Sequence, residues 1–420
     1  MNIYNSLFTS NINFYRLGFM TIDFFEDLLK NPSIFEDESK LDINFIPEKL
    51  PHRDKELSLL SQLFLTLITN PNTLSRKILI TGRTGIGKTA TIKLFSEMLI
   101  KAAEKRSVSI VYVHINCRKE RTSYKVLIKI VRTLNERFPK RGYSPQDLLE
   151  AIIDYLNIQN LHLLIILDEL SYLINKNGDL IYSLTRINDD LLNSKQRISI
   201  IGIVRDISCL SNIDISTMST LQRNIIKFKK YERIQIFDIL KYRANLSLKK
   251  NVISDELIDN ITEIVYKNGD IRYGLNLLWR SCKIAESKHL KFLTNECIRL
   301  GNQDLVPFST QDVLMYMSSQ KLIFLLAIIK ILKKSDKFKI SIREVLNFYN
   351  ILCENLAVNP RSYSQLWNYL QEFKREDLIS LSVQSDSIKG RKSFIEIPDI
   401  SLSKFITSII NLLHSRGIKI

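Results

Sequence analysis

Between Ile78 and Phe95 the chain reads ILITGRTGIGKTATIKLF: a short apolar run, a glycine-rich turn, then the opening of an amphipathic helix. Few arrangements accommodate that succession, and the turn has a fixed spacing. Gly82, Arg83, Thr84, Gly85, Ile86, Gly87, Lys88 and Thr89 match G-x-x-x-x-G-K-[ST], with a strand expected over Lys77 to Thr81 and a helix over Thr89 to Ala103. The glycines permit dihedrals that let successive N–H groups converge on anionic oxygens at a helix N-terminus, where the dipole is positive. Lys88 adds a full charge for outer phosphates and Thr89 a hydroxyl for Mg2+. The pattern therefore predicts a phosphate cradle for ATP or ADP, built from Gly85, Ile86, Gly87, Lys88, Thr89, Ala90 and Thr91.

At 420 residues the chain exceeds what one core usually fills, so two or three domains are expected. Sixty Lys and Arg against 44 Asp and Glu give +16, a field that attracts polyanions, nucleic acid foremost. The longest apolar run, Leu322 to Ile329, is bracketed by lysines and is far below the ~20 residues that cross a bilayer, so no membrane partner is expected. Five scattered cysteines without a C-x-x-C pair suggest neither disulfides nor zinc, and a reducing compartment, the cytoplasm. Met1 to Phe19 lacks the basic cluster and apolar core of a signal peptide; residues 1–33 read as an extension, disordered or preceding a true start at Met20.

Further continuous apolar runs, Ser109 to Asn116, Leu161 to Leu167, Arg197 to Val204 and the short Ile225 to Phe228, alternate with helical segments and predict a doubly wound parallel five-stranded sheet. The third strand ends in Asp168-Glu169. At the tip of a buried strand after a phosphate loop, such a pair suits magnesium-assisted phosphoryl transfer, with Asp168 holding the metal through water and Glu169 orienting an attacking water. From Tyr231 to residue 300 the periodicity is helical, with Ser254 capping and Gly269 ending the helix Asp255 to Asn268, which predicts a separate small helical domain. Gly301 to Asp312 reads as a linker. Three helices, near Gln311 to Lys334, Ser341 to Ala357 and Ser362 to Lys374, then precede strands at Leu378 to Val383 and Ser393 to Ile397. That is the plan of a winged helix over 313–420, in which Arg361, Ser362, Tyr363 and Ser364 open the groove-entering helix and Lys389, Arg391 and Lys392 crowd the wing tip.

Between Asn116 and Arg141 nine Lys or Arg face two Glu. On a helix from Thr122 onward, Lys125, Lys129 and Arg132 share one face, with Arg121 just before it. Like charges so arranged repel unless phosphates compensate them, which makes the stripe a candidate DNA contact; a solvated surface helix is the plainer alternative.

Phe45-Ile46-Pro47, Leu50-Pro51-His52-Arg53-Asp54, Asn116-Cys117-Arg118, Leu167-Asp168-Glu169, Ile201-Gly202-Ile203 and Gly269-Asp270-Ile271-Arg272 together resemble the archaeal origin-recognition and cell-division-control family of replication initiators. The resemblance, over roughly Ile34 to Ile397, implies an AAA+ ATPase domain at 34–230, a helical lid at 231–300, a linker at 301–312 and the winged helix. It further implies that Pro51, His52 and Arg53 lie near the adenine, that Tyr231 and Arg243 line the nucleotide from the lid, and that Arg272 is the sensor-two arginine. Double-stranded origin DNA, a paralogous initiator subunit and the MCM helicase are the implied partners, and the implied setting is the chromosome. Two departures stand out: Val204-Arg205-Asp206 replaces the usual Ser-Asn-Asp, and Asp214-Ile215-Ser216 replaces Asp-Pro-Arg. A missing trans arginine removes a group worth orders of magnitude in phosphoryl transfer, so firm nucleotide binding with slow hydrolysis is expected. Beside an ATP-dependent initiator, two readings remain open: a non-initiating origin-binding regulator, and a DNA-remodelling ATPase.

Overall fold

The structure, a computed structural model, describes residues 33–174, 178–186, 195–212, 224–303, 313–335, 339–376, 378–386, 390–397 and 402–418. The expected N-terminal extension up to residue 32, the 214–216 departure and Lys389 lie outside them.

Strands β1 (Lys77–Thr81), β2 (Ile110–Asn116), β3 (His162–Asp168), β4 (Ile198–Val204) and β5 (Ile225–Lys227) form one parallel sheet in the order β2-β3-β4-β1-β5. Every residue of β3 and β4 is buried, as unbroken apolar runs between two helical layers must be. Because strand side chains alternate, Ile78, Ile80, Leu164 and Ile166 pack on one face with α1 (Asp54–Thr69) and α2 (Lys88–Glu104), where the Phe64 and Phe95 rings lie 5.1 Å apart. Leu79, Leu163, Ile165 and Ile200 pack on the other with α3 (Ser123–Leu134) and α4 (Pro145–Ile158). Neither α1 nor α4 was assigned from periodicity, although Ser144 and Asp147 make a reciprocal capping box at α4. The shared register places Asn116 beside Asp168 and Thr81 beside Val204, so the carboxyl ends of β1 to β4 open at one edge, where α/β sheets bind ligands. α5 (Gly178–Arg186) lies between β3 and β4 in the chain order.

The lid comprises α6 (Arg233–Ser247), α7 (Asp255–Asn268), α8 (Ile271–Ser287) and α9 (Asn295–Gln303). Ile34, Phe35 and Leu41 pack into its core, and Phe35 bridges to Leu248, so this stretch joins the lid rather than the sheet it was grouped with. The expected linker also begins later than Gly301, since α9 runs through Gln303. Gly301 is a packing residue: a Cβ there would stand 3.1 Å from Ser281 Oγ and 3.4 Å from Leu277.

In the C-terminal body, α10 (Ser319–Ser335) carries Leu322 to Ile329 fully buried against α11 (Ile342–Asn355), α12 (Tyr363–Arg375) and α13 (Leu402–His414), the last of which was not anticipated. Strands β6 (Ile340–Ser341), β7 (Ser380–Asp386) and β8 (Gly390–Glu396) pair antiparallel in the order β6-β8-β7. This is the winged helix, with β7 and β8 as the wing. The AAA+ sheet, lid and winged helix expected from the sequence are all present.

Candidate functional site

At the open sheet edge lies a cavity of about 530 Å³. Of the residues predicted to bind phosphate or metal, Gly85, Gly87, Lys88, Thr89, Ala90, Asp168 and Glu169 line it. From the lid and the segment before α1, Tyr231, Arg243, Arg272 and Pro51 do so as well. Gly85 (φ +78°) and Gly87 (φ +84°) hold left-handed conformations that favour glycine. A Cβ at Gly85 would also fall 2.2 Å from Asp270 Oδ1, and one at Gly87 2.8 Å from Tyr231 Oη. The lid is thus seated on the loop, and Ile271 N–H donates to Gly85 O at 3.1 Å.

Lys88 Nζ donates to the carbonyls of Gly82 (2.6 Å) and Arg83 (2.7 Å). Burial pushes its ammonium down to about 8, against the pull of Glu169 and Asp168. Thr89 Oγ1 donates to Asp168 Oδ2 at 2.7 Å, so the hydroxyl and carboxylate expected to share Mg2+ already converge; a site of one carboxylate and a hydroxyl completed by phosphate oxygens suits that ion. Burial alone would raise Asp168, yet hydrogen bonds from His114 and Thr89, with the Lys88 charge, hold its carboxyl below the usual range. His114, 3.3 Å from Asp168 Oδ2 through Nε2, was missed because it sits within an apolar strand. Only the β2–β3 register could have signalled it. Glu169 has φ +56°, an uncommon conformation for a side-chain-bearing residue of the kind that clusters at functional sites.

Four predicted contacts stand elsewhere. Ile86 is buried in the core behind the loop, and Thr91 Oγ1 bonds back to Gly87 O at 2.9 Å within its own helix. Arg53 is 4% exposed and lies outside the cavity wall, donating to Ile86 O (2.7 Å) and stacked 4.0 Å from the Tyr231 ring centroid. It braces the phosphate loop from behind. His52 meets Asp238 of α6 at 2.8 Å, tying the pre-α1 segment to the lid. Arg243, although it lines the cavity, donates to the carbonyls of Lys40 (2.8 Å) and Asp42 (2.8 Å), and burial lowers its guanidinium to about 10. Its neutral truncation leaves these carbonyls without their donor: Arg243→Ala is expected to cost roughly 2 kcal/mol in stability and about tenfold in nucleotide affinity, measured by denaturant unfolding and fluorescent-nucleotide titration.

Arg272 Nη2 bonds Asp270 Oδ2 at 3.0 Å at the start of α8 and lines the cavity from the lid. Along the basic stripe, Lys125 is exposed, Lys129 turns to line the cavity, Arg132 is half-buried, and Arg121 packs over Tyr172 at 5.7 Å while donating to Arg118 O. The stripe therefore borders the cavity through Lys129. In the winged helix, Arg361, Ser362, Tyr363 and Ser364 are exposed at the start of α12, with Tyr363 61% exposed. Arg391 and Lys392 lie on β8 at the wing.

Family models match the AAA domain over residues 74–205, the Cdc6 AAA+ ATPase-type lid domain over 237–303 and the CDC6 C-terminal winged helix domain over 312–401. ORC1-type DNA replication protein 2 of Sulfurisphaera tokodaii is 31% identical over 398 residues, covering 93% of this chain and 95% of the relative. The chain belongs to the ORC1-type DNA replication protein family. A second ORC1-type member, from Thermococcus kodakarensis, is 28% identical with 89% of this chain and 90% of its own covered. The Aeropyrum pernix ORC1 protein, solved in complex with DNA, shares the fold at a TM-score of 0.76, with 23% identity over 92% of this chain and 99% of that one. Membership of the AAA+ class implies nucleotide and magnesium use in general, and the residues above fit both groups. No helix among the described residues is long and apolar enough to cross a membrane.

The lysine sets a pH dependence. Free Lys88 titrates near 8, and bound phosphate favours its protonated form. Nucleotide affinity is expected to be flat below that pH and to fall above it, by up to about tenfold per pH unit. Calorimetric titrations in two buffers of different ionisation enthalpy should show proton uptake on binding above pH 8 and none near pH 7.

Proposed function

We propose that this chain is an ATP-dependent origin-binding protein of replication initiation, in which the nucleotide held between sheet and lid sets how the winged helix and the α3 stripe clamp double-stranded DNA. Gly85, Gly87, Lys88, Thr89 and Ala90 hold the phosphates together with the backbone of Ile86; Asp168 and Thr89 hold Mg2+; Tyr231, Arg243 and Arg272 close the lid side. The observation that carries this reading is the contact of the lid with the phosphate loop, Asp270 on Gly85 and Tyr231 on Gly87, because any change in the bound phosphates is felt by the lid and by the body that follows it.

DNA affinity comes mainly from phosphate contacts by Lys125 and its neighbours and by Arg361, Arg391 and Lys392, with limited base readout from Ser362, Tyr363 and Ser364. Hydrolysis is slow. Glu169, which would orient the attacking water, faces the Arg205 guanidinium at 3.5 Å, at the position where the family resemblance implies an asparagine. Arg205 also favours a second reading, a paralogue that holds nucleotide and restrains origins, which an origin-firing assay in cells separates from an activator. Recruitment of the MCM helicase and pairing with a paralogous subunit belong to the same proposal, as does residence on the chromosome.

Footprinting of the full chain on its own chromosomal DNA with ADP or an ATP analogue tests the origin assignment. Discrete protected sites whose extent changes with nucleotide are expected; protection scattered without sequence preference contradicts it. Turnover stimulated strongly by DNA would instead support a remodelling ATPase.

A further inference from the structure

The winged-helix body lines the cavity with Tyr316 and, just outside its wall, meets Arg205 through Glu376. Glu376, immediately after α12, accepts from Arg205 Nη1 at 2.9 Å through Oε2 and from Tyr172 Oη at 2.6 Å through Oε1. Arg205 immediately follows β4, lines the nucleotide cavity, and lies 3.5 Å through Nε from Glu169 Oε2. One guanidinium is therefore shared by two carboxylates from different bodies. The sharing is imperfect: Arg205 Nε and Glu169 Oε2 are both buried without a hydrogen bond, which is costly in a low-dielectric setting. Burial by itself would lower the Arg205 guanidinium, but the two carboxylates hold it well above its usual value. A second stitch lies beside the first, where the Arg118 guanidinium sits 5.2 Å from the Tyr172 ring and 4.9 Å from that of Tyr316, just before α10.

A guanidinium lining a phosphate cavity is itself a phosphate ligand, with donors in a planar fork. A terminal phosphate arriving beside Glu169 adds negative charge to a cluster that already holds two carboxylates and one arginine. A dianion outcompetes a single carboxylate for that fork, and Glu376, once released, is repelled by the same charge. We propose that Arg205 is a terminal-phosphate reader whose competing partner is Glu376: with ADP it docks the winged helix, and with a triphosphate it turns to the phosphate and frees that domain. This rests on the nucleotide reading above and deepens it by naming the coupling residues.

The test uses the full chain, its Glu376→Gln and Arg205→Asn variants, and titrations with fluorescent ADP and a non-hydrolysable ATP analogue. Glu376→Gln removes the competitor while preserving shape, so the preference for triphosphate over diphosphate should rise about tenfold, the scale of one charge-assisted hydrogen bond. Arg205→Asn should erase that preference. Amide exchange at Leu170 to Ile174 and Phe373 to Glu376 should be protected with ADP and exposed with the analogue in the unsubstituted chain, and exposed with either nucleotide in both variants. A ratio unchanged or lowered in Glu376→Gln, or exchange insensitive to the nucleotide, overturns the latch. Should Arg205→Asn fail to fold, Glu376→Gln alone decides. Binding of both nucleotides with no response to either substitution defeats the latch and spares the nucleotide reading; an unsubstituted chain that binds neither nucleotide defeats both.

Discussion

Replacing Lys88 with alanine is expected to weaken nucleotide binding at least about a hundredfold. The lysine is a half-buried cation lining the cavity, and it balances Asp168 and Glu169. Its removal deletes a charge-assisted contact worth roughly 3 kcal/mol and leaves two carboxylates facing incoming phosphates, so the repulsion adds to the loss. The fold should survive, because the Lys88 side chain bonds only the carbonyls of Gly82 and Arg83 among the described residues and sits at the helix start rather than in the core. Titration with fluorescent ADP measures the effect. Undiminished affinity would mean that the phosphates are held somewhere other than the glycine-rich loop.

The second large effect concerns DNA. Lys125 and Arg361 are exposed on different bodies, one on α3 beside the sheet and one before α12. Reversing both, Lys125→Glu with Arg361→Glu, is expected to lower duplex affinity by about two orders of magnitude at low salt. The slope of log affinity against log salt should fall by about 2, near 0.9 for each lost phosphate contact plus repulsion. Lys129 is unsuited to this experiment, since it lines the nucleotide cavity and its reversal would confound the two ligands. If both surfaces grip the same duplex, the double variant should lose more than either single change alone would suggest, because each contact raises the effective concentration of the other. Fluorescence anisotropy over a salt series checks this; an unchanged slope would remove both surfaces from the interface.

What could be read from the sequence was whatever is local in the chain. The phosphate loop, the strand tips and the Ser254 cap are sets of neighbours whose chemistry is fixed by spacing, and β1 falls on the residues expected. What could not be read was contact between distant segments. Arg53 looked like a base contact, but its planar cation is more useful stacked on Tyr231 and bonded to Ile86 O than facing the cavity. Lys129 looked like one of three equal charges on a face, yet the packing of α3 against β2 aims it at the cavity. Glu376 carried no local signal at all, since only the docking of the winged helix brings it to Arg205. Helices α1, α4 and α13 carry no catalytic or binding motif, and the Ser144–Asp147 capping box is a local signal for α4 alone among them.

The claim at the centre of this account is that nucleotide and DNA are energetically coupled through one chain. A binding cycle measures it most directly, with duplex affinity determined for the nucleotide-free, ADP-bound and ATP-analogue-bound protein, and analogue affinity determined with and without duplex. Linkage requires the two factors to be equal, and a coupling of this kind typically amounts to about fivefold or more. The analogue is expected to shift duplex affinity by at least that factor relative to ADP, and duplex to shift the preference for analogue over ADP by the same factor. Identical duplex affinities in all three states would contradict it.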